Sequence, residues 1–293
     1  MSKPKIVLAG FGQPMIDLYH WLESRFDVLG VVPDYHRRAK FPFFYAFLEE
    51  HQLPILDFAQ ANELQPQAII VYNYNKIIPV DEVRTEFLLN IHMGLLPVYR
   101  GNNANSWSIL NGDYTVGYTV HAINDKLDDG DIYYKFGYEI QPNQTYFHAK
   151  QAMKTDMEQN LAHKVEDILQ RKIQPQSQEG ASFIYACPLV PEDGIITDWN
   201  KPTQDFIGRN MVFARPLGTG FKLKYNNTLY EINKLSMISG FMHSKGVPGA
   251  VVLITSEGAV WIKTADTALA IESLSLDGQE IIPSALFKIG QRL

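Results

Sequence analysis

Lys5-Ile6-Val7-Leu8-Ala9-Gly10-Phe11-Gly12 is the first patterned stretch of the chain. A compact apolar run without polar alternation, closed by two glycines, predicts a strand buried on both faces that ends in a tight turn. Ile16, Tyr19, Leu22 and Phe26 follow at three- and four-residue spacing, as on one face of a helix. The rhythm then repeats, with a strand over 28–32, a helix over 43–50 entered near Pro42, a strand over 68–72 and another over 88–92. Apolar strands separated by helices predict an α/β fold, a Rossmann-like, mostly parallel sheet with helices on both faces.

Working outward, the pattern changes at Val116 to alternation, with Val116, Tyr118, Val120 and Ala122 on one face and Thr119, His121 and Ile123 on the other. A strand over 132–138 follows the acidic turn 125–131, and 145–172 carries helical spacing without Gly or Pro. Three prolines and a glycine between Pro175 and Pro191 place a boundary there. The expected domains are therefore 1–187, a linker over 188–204, and a smaller β-barrel-like (OB-like) C-terminal domain over 205–293. In that last part Asn226-Asn227 reads as a hairpin turn between 221–225 and 229–232, and short strands are expected over 250–255, 259–263 and 268–274. Phe221, Tyr225, Tyr230, Phe241 and Trp261 are expected barrel core.

Composition narrows the function. The 293 residues are 46% hydrophobic and 20% charged, which excludes a disordered or low-complexity chain. The single cysteine, Cys187, excludes an internal disulfide and a cysteine-built metal site, and suits a reducing cytoplasm. No apolar run is long enough for a membrane span, and the start lacks a signal-peptide pattern, so the expected location is cytoplasmic with no membrane partner. The formal net charge is -6. Residues 1–187 hold 16 basic and 22 acidic residues and 188–293 hold 10 of each, so DNA is not an expected partner.

Gly10-Phe11-Gly12-Gln13-Pro14 lacks the third glycine of a dinucleotide fingerprint, since position 15 is Met, and reads as a strand-to-helix turn. The informative stretch runs from Asn90 to Asp131. Asn90 and His92, two apart on a strand, point to one face. Gly94-Leu95-Leu96-Pro97 and Tyr99-Arg100-Gly101 form a loop of defined backbone path beside them, and Leu127-Asp128-Asp129-Gly130-Asp131 crowds three carboxylates into one turn. The acidic spacing does not fit an EF-hand, and no metal is expected.

Asn90-Ile91-His92-Met93-Gly94-Leu95-Leu96-Pro97-Val98-Tyr99-Arg100-Gly101 resembles the N-x-H-x-S-L-L-P-x-Y-R-G signature of the 10-formyltetrahydrofolate-dependent N-formyltransferases. Leu127 to Asp131 is similar to that family's L-D-x-G-D element, and Tyr74-Asn75-Lys76-Ile77-Ile78-Pro79 to its Y-G-x-I-L-P segment. More weakly, 192–199 and Lys245-Gly246-Val247-Pro248-Gly249 resemble the domain junction and K-P-G turn of methionyl-tRNA formyltransferase. The resemblance implies Asn90, His92 and Asp128 as catalytic residues. Tyr74, Lys76, Ile77, Ile78, Asp125 and Leu127 would line a site for 10-formyltetrahydrofolate as formyl donor. Met93, Gly94, Tyr99, Arg100, Asn102, Asn103 and Asn105 would face the acceptor. Two departures stand out: Met93-Gly94 removes the family's loop hydroxyl, and the amide-rich 102–107 replaces an apolar segment typical of the tRNA enzymes.

On this reading Asn90 donates to a developing oxyanion, His92 adds charge, and Asp128 raises the imidazole pKa. Spacing leaves open whether His92 or Asp128 carries the proton. It also leaves open whether Arg100 holds an acceptor phosphate or fastens the loop. His121 is expected to be structural, with a place in the site as the second reading. The leading expected acceptor is a nucleotide-linked (dTDP) amino sugar of bacterial surface glycan (lipopolysaccharide O-antigen) synthesis. The alternatives are methionyl-tRNA as partner and a non-catalytic folate- or nucleotide-binding protein. A homodimer is the expected assembly of the sugar-modifying type.

Overall fold

The computed structural model describes residues 2–34, 39–141, 144–238 and 246–293. Phe241 and Lys245, assigned above to the barrel core and the second-domain turn, lie outside the described residues. The chain forms two compact units: Met1–Asn105 with Val116–Glu139 and His148–Cys187, and Ser106–Thr115 with Ile140–Phe147 and Pro188–Leu293.

The first unit is built on strand β1 (Lys5–Gly10), helix α1 (Gln13–Leu22), β2 (Asp27–Val32), α2 (Pro42–Glu50), α3 (Phe58–Glu63), β3 (Ala68–Tyr72) and β4 (Phe87–His92). The short strand β5 (Tyr99–Gly101), β6 (Thr115–Ala122), β7 (Ile132–Glu139), α5 (Tyr146–Asp156), α6 (Ala162–Leu169) and β8 (Ile184–Ala186) follow, while α4 (Ala104–Leu110), between β5 and β6, belongs to the second unit from Ser106 on. The main sheet has the order β2-β1-β3-β4-β6-β7. Its first four strands are parallel, and β6 runs antiparallel to β4. Val7, Ala9, Ile69 and Val71 pack with Ala61 of α3 on one face, while Ile6, Leu8 and Ile70 are equally buried on the other. That two-sided burial is why these strands read as uninterrupted apolar runs.

Several boundaries differ from expectation. α1 begins at Gln13 with Pro14 in its first turn and ends at Leu22, so Phe26 lies outside it as a buried loop residue. α3 was not anticipated; its signal is the capping box between Asp57 and Gln60, two reciprocal hydrogen bonds that satisfy amides at the helix start. The single helix expected over 145–172 is α5, a π turn over Met157–Leu161 and α6, ending at Leu169.

The second unit contains β9 (Ile195–Ile196), α7 (Thr203–Phe213), β10 (Lys222–Tyr225), β11 (Thr228–Met237), β12 (Val251–Ile254), β13 (Val260–Lys263), β14 (Ala268–Leu276) and β15 (Gln279–Ile281). They form a sheet of order β12-β13-β14-β11-β10-β9, with β15 on β14. It is antiparallel except where β9 joins β10. Residues 188–204, expected as a linker, thus supply a strand to this sheet and the start of α7. The β10–β11 hairpin turns on Asn226-Asn227 with φ 48° and 62°, the left-handed pair that a two-residue turn between twisted strands requires.

Candidate active site

β4 carries Asn90 and His92 on alternate positions, so both face the same side. The antiparallel register sets Asn90 opposite His121 and His92 opposite Thr119 of β6. Asp128 arrives from the acidic turn with φ 50° and is 9% exposed. Its Oδ2 accepts the Gly101 N–H at 2.8 Å and lies 3.4 Å from His92 Nδ1. Its Oδ1 lies 3.3 Å from Asn90 Nδ2 and 3.4 Å from His121 Nε2. His121, read first as structural, is therefore part of the cluster, and its exact opposition to Asn90 was visible only once strand pairing was known.

Hydrogen-bond partners settle the ring orientations. His121 Nδ1 lies 2.7 Å from the Ala122 carbonyl and donates to it, and Nε2 lies between Asn90 Nδ2 at 3.1 Å and Asp128 Oδ1 at 3.4 Å. The Asn90 amide nitrogen donates to Asp128 Oδ1 and lies against His121 inside the cluster. His92 Nε2 lies 2.8 Å from the Tyr99 carbonyl and donates to it, leaving the Nδ1 lone pair toward Asp128.

Burial pushes the His92 imidazole below its ordinary pKa, and the opposing pull of Asp128 does not reverse this. The sequence-based expectation of a raised value is thus corrected: desolvation outweighs the carboxylate. For Asp128, burial acts to raise the pKa, but the His121 hydrogen bond, the nearby His92 and the Gly101 amide together hold it below the usual carboxylate range. At neutral pH the pair is a neutral imidazole facing an ionised carboxylate. His92 Nδ1 and Asp128 Oδ2 face each other at 3.4 Å, and either atom can receive a proton.

The acceptor-facing residues divide. Arg100, 1% exposed, pairs with Asp129, donates to Gln178 Oε1 at 3.0 Å and lies 4.1 Å from the Phe183 ring centre. In this structure it fastens the loop. Asn105 is buried and clips both polar groups of Gly117, at 2.7 Å and 2.9 Å. The Tyr99 side chain is buried, and what it offers the site is its carbonyl. Asn102 and Asn103 are exposed, and Met93 is half-buried with Tyr72 Oη 3.5 Å from its sulfur. A Cβ on Gly94 would meet His92 Nε2 at 2.6 Å and Ala104 Cβ at 2.5 Å, so the missing hydroxyl has no room here.

Of the expected donor-site residues, Ile78 packs against the sheet core and Tyr74 stacks edge-on to Phe58. Lys76 Nζ lies 3.8 Å from Asp34, while Ile77 (98%) and Leu127 (59%) present apolar side chains to solvent. Asp125 lines an open groove of about 550 Å³ together with Val80, Val83, Phe87, Leu89 and Ile123. The groove does not include Asn90, His92 or Asp128, but runs along β4 up to Leu89, the residue before Asn90. Among the described residues no His, Cys, Asp or Glu group has metal-site geometry. No described helix is long and apolar enough to cross a membrane.

Fold and cluster together define an α/β enzyme with a buried carboxylate–imidazole pair fit for group transfer with proton movement. Residues 54–165 match the family model described as formyl transferase, so this part of the chain carries a formyltransferase domain. It is 27% identical over 260 residues to a methionyl-tRNA formyltransferase of Geobacter metallireducens, covering 84% of this chain and 80% of that one. Among solved structures it resembles an N-formyltransferase from Helicobacter canadensis in complex with folinic acid and dTDP-3-aminofucose. That match has a TM-score of 0.72 at 16% identity and covers 92% and 98% of the two chains. A methionyl-tRNA formyltransferase from Clostridium thermocellum matches with TM-score 0.58 at 17% identity, over 81% and 95%.

Proposed function

We propose that this enzyme transfers the formyl group of 10-formyltetrahydrofolate to the amine of a nucleotide-linked amino sugar, with dTDP as the expected nucleotide. The groove beside β4 suits the donor: a pterin is flat and carries N–H donors along one edge. Apolar walls from Val83, Phe87 and Leu89, with the carboxylates Asp81 and Asp125 at hand, fit that shape and polarity. Ile77 and Leu127 add exposed apolar side chains.

The observation that carries the acceptor class is charge. Residues 188–293 hold equal numbers of acidic and basic residues and the rest of the chain is acidic. A tRNA partner is held largely through its phosphates and calls for a basic surface. The exposed amides of Asn102 and Asn103 supply hydrogen-bonding groups suited to a sugar. The methionyl-tRNA reading stays as the second, favoured by the sequence relatives.

In the reaction, the amine attacks the formyl carbon and becomes acidic as its bond forms. Asp128, ionised and within reach of His92, takes that proton and passes it to Nδ1, 3.4 Å from its Oδ2. The imidazolium then faces two acceptors, Asp128 and the Tyr99 carbonyl. With the carboxylate's charge satisfied, Asn90 can release its longer bond, 3.3 Å to Oδ1, and turn that hydrogen toward the oxyanion. The stored proton returns to the departing folate nitrogen. A mass-spectrometric assay with 10-formyltetrahydrofolate, offering nucleotide-linked amino sugars and, separately, methionyl initiator tRNA, tests the acceptor. Formylation of a sugar is expected; formylation of the tRNA alone would overturn the reading.

A further inference from the structure

Gln178 lies between α6 and β8, fifty positions beyond Asp128, and is 4% exposed. All its hydrogen-bonding capacity is directed at the acidic turn and its anchor. Oε1 accepts from Arg100, and Nε2 donates to the carbonyls of Asp128 at 3.1 Å and Gly130 at 2.6 Å. The reversed amide would set donor against donor and acceptor against two acceptors, so only this orientation satisfies the site. The turn it grips is unusual. Asp128 has left-handed backbone at φ 50°, and Gly130 is pressed so close to the Ala122 carbonyl that a Cβ would collide with it. Arg100 completes the bracket by pairing with Asp129 and lying against Phe183.

We infer that Gln178 is a positioning residue for Asp128: by holding the carbonyls of residues 128 and 130 it keeps the carboxylate aimed at His92, His121 and the Gly101 amide. The inference deepens the formyl-transfer reading and rests on it for its kinetic test. A segment outside all three recognisable motifs thereby belongs to the working parts of the site. Packing alone would call for volume at this position, whereas every polar atom of the side chain is used.

Two variants separate the roles. Q178E keeps the acceptor for Arg100 and removes both donors to the turn; Q178M keeps the volume and removes every hydrogen bond. The expectation is a loss of kcat of about a hundredfold in both, the order associated with a catalytic group displaced by about an ångström. KM for donor and acceptor should change little, since neither substrate meets Gln178. Titration of the His92 imidazole by NMR, without substrate, reads the placement of Asp128 directly. His92 faces Asp128, His121 and the Tyr99 carbonyl, and of these Asp128 most strongly favours the charged ring. Its midpoint should fall further when the carboxylate swings away. Variants that melt earlier but keep wild-type kcat and His92 midpoint would overturn the proposal, with Q178E alone deciding should Q178M fail to fold. A wild-type enzyme inactive on every acceptor would instead count against the formyl-transfer reading, while the titration still decides the role of Gln178.

Discussion

A neutral imidazole facing an ionised carboxylate accepts a proton only while both are unprotonated, which ties turnover to pH. His92 and Asp128 are both held below their ordinary values, the first by burial and the second, against burial, by His121, His92 and Gly101. On rising pH, kcat/KM should climb through a limb lying below the ordinary histidine value of about 6.5 and be flat by neutrality, apart from ionisation of the acceptor amine. A limb centred above about 7 in an acceptor-independent step would show that His92 is charged at rest. The stability sign is the same for both groups. The unfolded chain binds more protons, so stability is present above the unfolded pKa values and is lost as pH falls through the folded ones. Asn90 and His92 were legible from their spacing on a strand. The closeness of His121 to both Asn90 and Asp128 was not, because its place follows from an antiparallel register.

At the scale of elements, α7 shows a contact that no local pattern announces. Its first residue, Thr203, follows Pro202, which offers no side-chain cap. Asp266, from the turn between β13 and β14, accepts the Thr203 N–H and hydroxyl, both at 2.9 Å, along with the Thr264 hydroxyl and the Thr267 N–H. Burial acts to raise its pKa, but these four donors outweigh it and lower the carboxyl to about 2. Asp266 is exposed, so solvent screening reduces the worth of the shift, and Asp266→Ala should cost about 1 kcal/mol in urea unfolding. The folded pKa is depressed, so this contribution is present above about pH 4 and lost as pH falls toward 2. Equal stability of variant and wild type at neutral pH would contradict the assignment. The main strands were readable because burial on both faces leaves a continuous apolar run. α3 and α7 were not: one is six residues long, and the other is completed by a residue sixty-three positions away.

Across the whole molecule, the candidate site is assembled from segments far apart in sequence. β4 supplies Asn90 and His92, β6 supplies His121, the acidic turn supplies Asp128, and the stretch before β8 supplies Gln178. The motifs made the first and third legible. Proline-rich composition near 175–191 read as a boundary and hid Gln178, because composition reports backbone tendency and not where a side chain reaches. The same composition shows why charge carries the acceptor argument, since it is a property of the whole surface and survives any error in boundaries. The central claim is that the carboxylate brought in by the acidic turn receives the amine's proton. Single-turnover formyl transfer by wild type and Asp128→Asn, at saturating donor and acceptor, tests it most directly. The account predicts a loss of roughly 10³-fold or more in the chemical step, within the range typical of general acid–base groups, with donor binding retained. A variant that transfers the formyl group at close to the wild-type rate would contradict it.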